Sequence, residues 1–117
     1  MQIIISGKGI ELTEAIKDYV EKKMSSLEKF HDRIIRAVVT VGLESHHHLK
    51  GEVFICECKV EIPGNDVFAS KNEKTLYKAI DKVRDYLEGE LKKHKAKLHR
   101  NDKKDMRLRR QSKEYQM

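Results

Sequence analysis

Two stretches alternate apolar and polar residues with a period of two: "RIIRAVVTVGLE", Arg33 to Glu44, and "GEVFICECKVEI", Gly51 to Ile62. A period of two is the repeat of a strand, and it sends every second side chain to the same face. Ile35, Ala37, Val39, Val41 and Leu43 therefore share one face of the first strand, and Phe54, Cys56, Cys58, Val60 and Ile62 one face of the second. The polar loop "SHHHLK" joins them as a hairpin. A sheet with one continuous apolar face must be covered by another layer, so the rest of the chain has to supply that cover.

The cover comes from two amphipathic segments. After a short β-branched strand, "QIIIS" (Gln2 to Ser6), closed by Gly7 and Gly9, Thr13 is placed to cap a helix in which Ala15, Ile16, Tyr19, Val20, Lys23, Met24 and Leu27 recur at helical spacing up to Phe30. "PGN", Pro63 to Asn65, turns the chain into a third strand of the meander, Asp66 to Ser70. A second helix is expected to open near Asn72, with Leu76, Ala79, Ile80, Val83, Leu87, Leu91 and Leu98 along one side. The predicted order is β-α-β-β-β-α, an α+β sandwich of two helices on one face of a four-stranded sheet. Residues 1–98 form that domain, and the apolar periodicity stops there. Residues 99–117 are expected to be a basic, disordered tail.

Charge is distributed unevenly along this plan. Residues 1–91 hold 14 lysines and arginines against 16 aspartates and glutamates, while residues 92–117 hold 11 against 3. "LKKHKAKLHR", Leu91 to Arg100, has five cations and no acid. On the helix, Lys78, Lys82, Lys92, Lys93 and Arg100 lie opposite the apolar stripe as one mostly basic ridge, broken by Asp85 and the small Gly89 and Ala96. Any exposed helix face is charged, and cations near a helix C-terminus are favoured by its dipole. That accounts for one or two lysines, whereas a run of this length followed by more cations points to nucleic acid.

The residues carrying the pattern also resemble a known family. "GKGIELTEAIKDYVEKKMSSLEKF" near the start and "LYKAIDKVRDYLEGELKKHKAKL" near the end, at this separation and in this element order, resemble the ribosome hibernation promoting factors, also called ribosome-associated inhibitors or ribosomal subunit interface proteins. The resemblance covers residues 1 to about 98. It implies a fold like double-stranded-RNA-binding domains. It also implies docking on the small ribosomal subunit and its ribosomal RNA, in the channel used by messenger and transfer RNA, and silencing of ribosomes under stress. Lys78, Lys82, Arg84, Lys92, Lys93, Lys95 and Lys97 match the family's basic second helix, Lys22, Lys23 and Lys29 the basic positions of its first, and Arg100 continues the run. Long members carry a further domain that pairs ribosomes; here 19 residues follow the fold, so that domain is expected to be missing, and whether a short form assists or opposes pairing stays open.

Other chemistry fits less well. His46 to His48 and the pair Cys56 and Cys58 offer metal-ligating types, but a structural zinc site needs a second pair of ligands at suitable spacing, so no metal is expected. There is no glycine-rich phosphate loop and no nucleophile motif, so the chain reads as a non-enzymatic binding protein without cofactor or small-molecule substrate. Two cysteines, no apolar run of about 18 residues and no signal peptide at the N-terminus lead to the expectation of a cytoplasmic protein away from membranes; it is also expected to be a monomer when free. Two rivals remain. A general RNA-binding module would bind free duplex RNA equally well. A protein-docking role would use an apolar outer sheet face, for which Ile4, Ile34, Val38, Val53 and Ile55 are the candidates.

Overall fold

The structure, a computed structural model, describes the backbone of residues 1–44 and 51–115 and the side chains of residues 1–44 and 51–97. The order is β1 (Gln2–Lys8), α1 (Glu14–Ser25), a 3-10 segment (Ser26–Phe30), β2 (Arg36–Glu44), β3 (Val53–Ile62), β4 (Asn65–Glu73) and α2 (Leu76–Tyr115). The expected α+β order is what is found. The sheet runs β1-β2-β3-β4; β1 pairs parallel with β2 across the α1 crossover, and β2, β3 and β4 form an antiparallel meander.

Local chemistry explains where the elements begin. The Thr13 hydroxyl accepts the Ile16 N–H at 3.2 Å and caps α1. Pro63 and Gly64, the latter at φ 80°, make the tight turn between β3 and β4, since only glycine takes that conformation without strain. The second helix opens later than Asn72. Asn72 and Glu73 stay in β4, paired with Ile55 and Phe54, and Thr75 caps the helix by accepting the Lys78 N–H at 3.2 Å. The long β3 holds its partner strand as far as Glu73.

The core lies between the helices and one sheet face. Ala37, Val39 and Val41 from β2, Cys56, Cys58, Val60 and Ile62 from β3, and Val67 and Ala69 from β4 meet Val20, Met24 and Leu27 from the first helical layer. From α2 come Leu76, Ala79, Ile80, Val83, Leu87 and Leu91, at the spacing of an amphipathic helix. Ile34 packs against the core and Ile35 is 58% exposed, the reverse of the expected alternation, because β2 starts only at Arg36 and the residues before it are not pleated. The outer face aligns Ile4, Val38, Lys59 and Phe68 in one row across all four strands, with Phe68 57% exposed.

The backbone of α2 stays helical through Tyr115, past Leu98, where the expected tail begins. Residues 99–115 contain neither proline nor glycine and are rich in lysine and arginine, both good helix formers. Leu91 is the last buried residue among the described side chains.

Candidate nucleic-acid interface

The cations expected to bind RNA divide between different flanks of the molecule. Lys23 turns from α1 toward α2, where its ammonium lies 3.4 Å from Asp81 and 5.4 Å from the Tyr19 ring centroid. Tyr19 donates its hydroxyl to Asp81 at 2.5 Å and meets Tyr77 edge to face at 4.7 Å. That hydrogen bond, with burial, pushes the Tyr19 phenol up to about 12. Lys22, one residue back, points the other way, into a depression shared with Met1, Ile3, Asp18, Glu21 and Ser25. Lys82 pairs with Glu73 of β4 and holds that carboxyl below its usual range.

The densest group forms where the 3-10 segment meets α2. Arg84 donates Nε to the Ser26 hydroxyl at 3.0 Å and reaches Glu88 at 2.7 Å and Asp85 at 3.2 Å. Lys92 also reaches Glu88, at 3.3 Å. Partial desolvation works against charge on Glu88, yet the two cations outweigh it and hold its carboxyl low. Arg84 and Lys92 lie over the Phe30 ring, 5.4 and 5.0 Å from its centroid. Lys29, Phe30, Lys92, Lys95 and Ala96 line one depression.

The ridge is less bare of acid than the run Leu91 to Arg100 suggests. Glu88 and Glu90, one turn earlier, pair with Lys92 and Lys93 at i,i+4 and i,i+3 spacing, and Asp32 reaches Lys95 at 3.6 Å. Reading consecutive residues hides partners a helical turn away. Lys22, Lys29 and Lys78 have no ion pair among the described residues. Among the paired lysines and arginines Arg84 is the most enclosed, with a side chain only 19% exposed, and it braces the 3-10 segment against α2. The side chain of Arg100 and the loop His46 to His48 lie outside the described residues. The two cysteines are fully buried, and burial pushes both thiols up to about 12.

Phe30, Ser26, Tyr19 and Glu88 do not stand out as site residues in the sequence. Phe30 carries a cue, since it is an aromatic directly after Lys29, but it passes for the last residue of an apolar stripe.

The model of the family described as Sigma 54 modulation protein / S30EA ribosomal protein matches residues 3–99. The chain belongs to this family. It is 37% identical over 97 residues to a Pseudomonas putida protein named ribosome hibernation promoting factor, covering 83% of this chain and 89% of that one. A protein of the same name from Escherichia coli K12 is 34% identical over 98 residues, covering 84% and 97%. Among solved structures, the N-terminal domain of Thermus thermophilus Protein Y superposes with a TM-score of 0.69 at 33% identity, over 80% of this chain and 99% of that one. The family match takes in α1, the 3-10 segment and the sheet-packed part of α2, so the whole basic flank described above falls within it.

Proposed function

We propose that this protein is a ribosome hibernation factor. It binds ribosomal RNA of the small subunit in the messenger and transfer RNA channel and keeps ribosomes inactive under stress. The observation that carries the reading is the gathering of Lys29, Lys92 and Lys95 on the flank where the 3-10 segment meets α2, in a chain whose relatives are named for ribosome hibernation. Inhibition here is occupation of space. No bond is made or broken, and the protein acts in proportion to its concentration.

The intramolecular ion pairs shape how this surface meets RNA. Surface pairs such as Lys93 with Glu90 contribute little to stability, so a phosphate can take the lysine from its carboxylate. Each lysine that does so releases counterions condensed on the RNA, and affinity falls with salt at a log–log slope of about 0.7–0.9 per neutralised phosphate. The neighbouring acids reduce attraction to RNA at large and leave the fit of the surface to decide where it binds.

Sedimentation of small ribosomal subunits with the protein tests this. The wild type is expected to co-migrate at moderate salt and to dissociate as salt rises. The triple variant Lys92→Glu, Lys93→Glu, Lys95→Glu is expected to stay with the free-protein fraction while keeping the wild-type melting temperature. Unchanged co-migration of the variant sinks the proposal, and equal affinity for free duplex RNA makes the protein a general RNA-binding module instead.

A further inference from the structure

The depression beside Phe30 has a chemistry that phosphate binding alone does not require. It has a volume of about 340 Å³ and is lined by Lys29, Phe30, Lys92, Lys95 and Ala96. The volume is at the small end of the range for ligand sites, about 300–1,000 Å³. Phe30 and Ala96 give it an apolar floor of an aromatic ring and a methyl group, and Lys29 and Lys95 give it a charged rim, with the Lys92 ammonium over the ring. A phosphate needs the rim and not the floor. An apolar peptide side chain needs the floor and is not served by the rim.

We propose that this depression seats a single unpaired RNA base, stacked on Phe30, with its phosphate held by Lys29, Lys92 and Lys95. The inference rests on the reading that RNA is the partner and adds which part of the RNA is recognised. The ring is prepared for stacking. It ends the 3-10 segment, packs in part against the core, and lies under the Arg84 guanidinium, which is itself held by Ser26 at 3.0 Å and Glu88 at 2.7 Å. Arg84 is thereby a positioning residue for the ring. Lys92 differs from it, since its side chain is 57% exposed and its contact with Glu88 is longer, at 3.3 Å. Its ammonium now sits 5.0 Å from the ring centroid, and a base arriving there displaces it to the rim, where it meets the phosphate of the same nucleotide.

Base pairing sets the class of ligand. A base within a duplex has neighbours on both of its faces and cannot stack on a protein ring, whereas a looped-out or flipped base has a face free. Stacking on an aromatic side chain tolerates any base, so the seat selects for an exposed nucleotide at the right place and not for its identity. A rigid RNA surface that presents one such nucleotide near a line of phosphates matches both parts of the site.

The test uses the full chain with isolated small ribosomal subunits, probed by dimethyl sulfate, which methylates unpaired adenine and cytosine, and by a carbodiimide reagent for uracil and guanine. Phe30→Leu keeps an apolar side chain for the core, Phe30→Trp keeps a stacking face, and Ala96→Leu fills the depression while leaving the Phe30 side chain itself in place. The expected result is that wild type and Phe30→Trp protect a base that Phe30→Leu and Ala96→Leu leave reactive, with the remaining protections unchanged. Affinity should fall about five- to 150-fold in Phe30→Leu, the equivalent of removing one base–aromatic stack. The proposal is overturned if Phe30→Leu and Ala96→Leu bind with wild-type affinity and footprint. It is overturned equally if Phe30→Leu abolishes all protections and lowers the melting temperature while Ala96→Leu stays wild-type, because the ring is then core filling. A wild-type protein that leaves no footprint at all rejects RNA binding itself, which separates that failure from this one.

Discussion

His31 is buried, at 4% exposure, at the point where the chain leaves the 3-10 segment for the sheet. Its Nδ1 accepts the Arg33 N–H at 3.1 Å, so the neutral ring carries its proton on Nε2, which has no acceptor among the described residues. Burial lowers its pKa; Asp32 pulls the other way, while His94, Lys95 and Arg33 lower it further. The sign of the consequence follows by linkage. Below the ordinary histidine value of about 6.5 the unfolded chain binds a proton that the folded chain refuses, so stability falls with pH until the lowered folded pKa is reached. Above about 6.5 both states are neutral at this residue and it contributes no pH dependence. Urea denaturation at pH values of about 7.5 and about 5, on either side of that ordinary value, should therefore show a larger loss for wild type than for His31→Gln. Parallel losses would place the acid sensitivity elsewhere.

At the scale of elements, β1 depends on a single close approach. A Cβ built on Gly42 would stand 2.3 Å from the Lys8 carbonyl oxygen, and Lys8 is the Cα partner of Gly42 at the end of the only parallel pair among the described strands. No side chain fits there without parting the two strands. Gly42→Val is expected to release the C-terminal end of β1 and cost about 1–3 kcal/mol, as overpacking does. The check is denaturation together with amide exchange, which should rise at Ser6, Gly7 and Lys8 and stay slow at Val39 and Cys58. Uniform exchange across the sheet would mean that the strain spreads through the core. The late start of α2 also comes from strand pairing, because β3 claims Asn72 and Glu73 before the helix can begin.

For the whole molecule, the governing asymmetry is between a sheet-packed half of α2 and its basic extension. At about 1.5 Å per residue a helix of 40 residues spans about 60 Å, and the last buried side chain described on it is Leu91. Residues 99–117 are rich in lysine and arginine, and we propose that they lie along RNA as a polycation, held by charge and not by the core. Deleting residues 101–117 should leave the melting temperature within about a degree or two of wild type, while lowering affinity for small subunits and flattening the salt slope by about 0.7–0.9 for each phosphate no longer neutralised. A loss of several kcal/mol on truncation would show the extension packed on the domain.

The element order, the apolar faces of β2 and β3 and the stripe of α2 were legible in the sequence, because each follows from a repeat that the chain displays locally. The concentration of cations after Lys92 was legible for the same reason. The swap of Ile34 and Ile35 was not, since only the start of pleating at Arg36, set by pairing with Gln2 and Glu61, decides which of them turns inward. Nor was the division of the basic residues, where Lys82 goes to β4, Lys23 to Asp81, and Arg84 to Ser26, 58 positions away in the chain. A helical repeat tells which face of α2 is dry, but what stands beside each exposed cation depends on elements that meet it only after folding. The Phe30 seat belongs to that second kind: a ring from one segment and lysines from another have no shared pattern until tertiary packing brings the Lys92 ammonium to 5.0 Å from the ring.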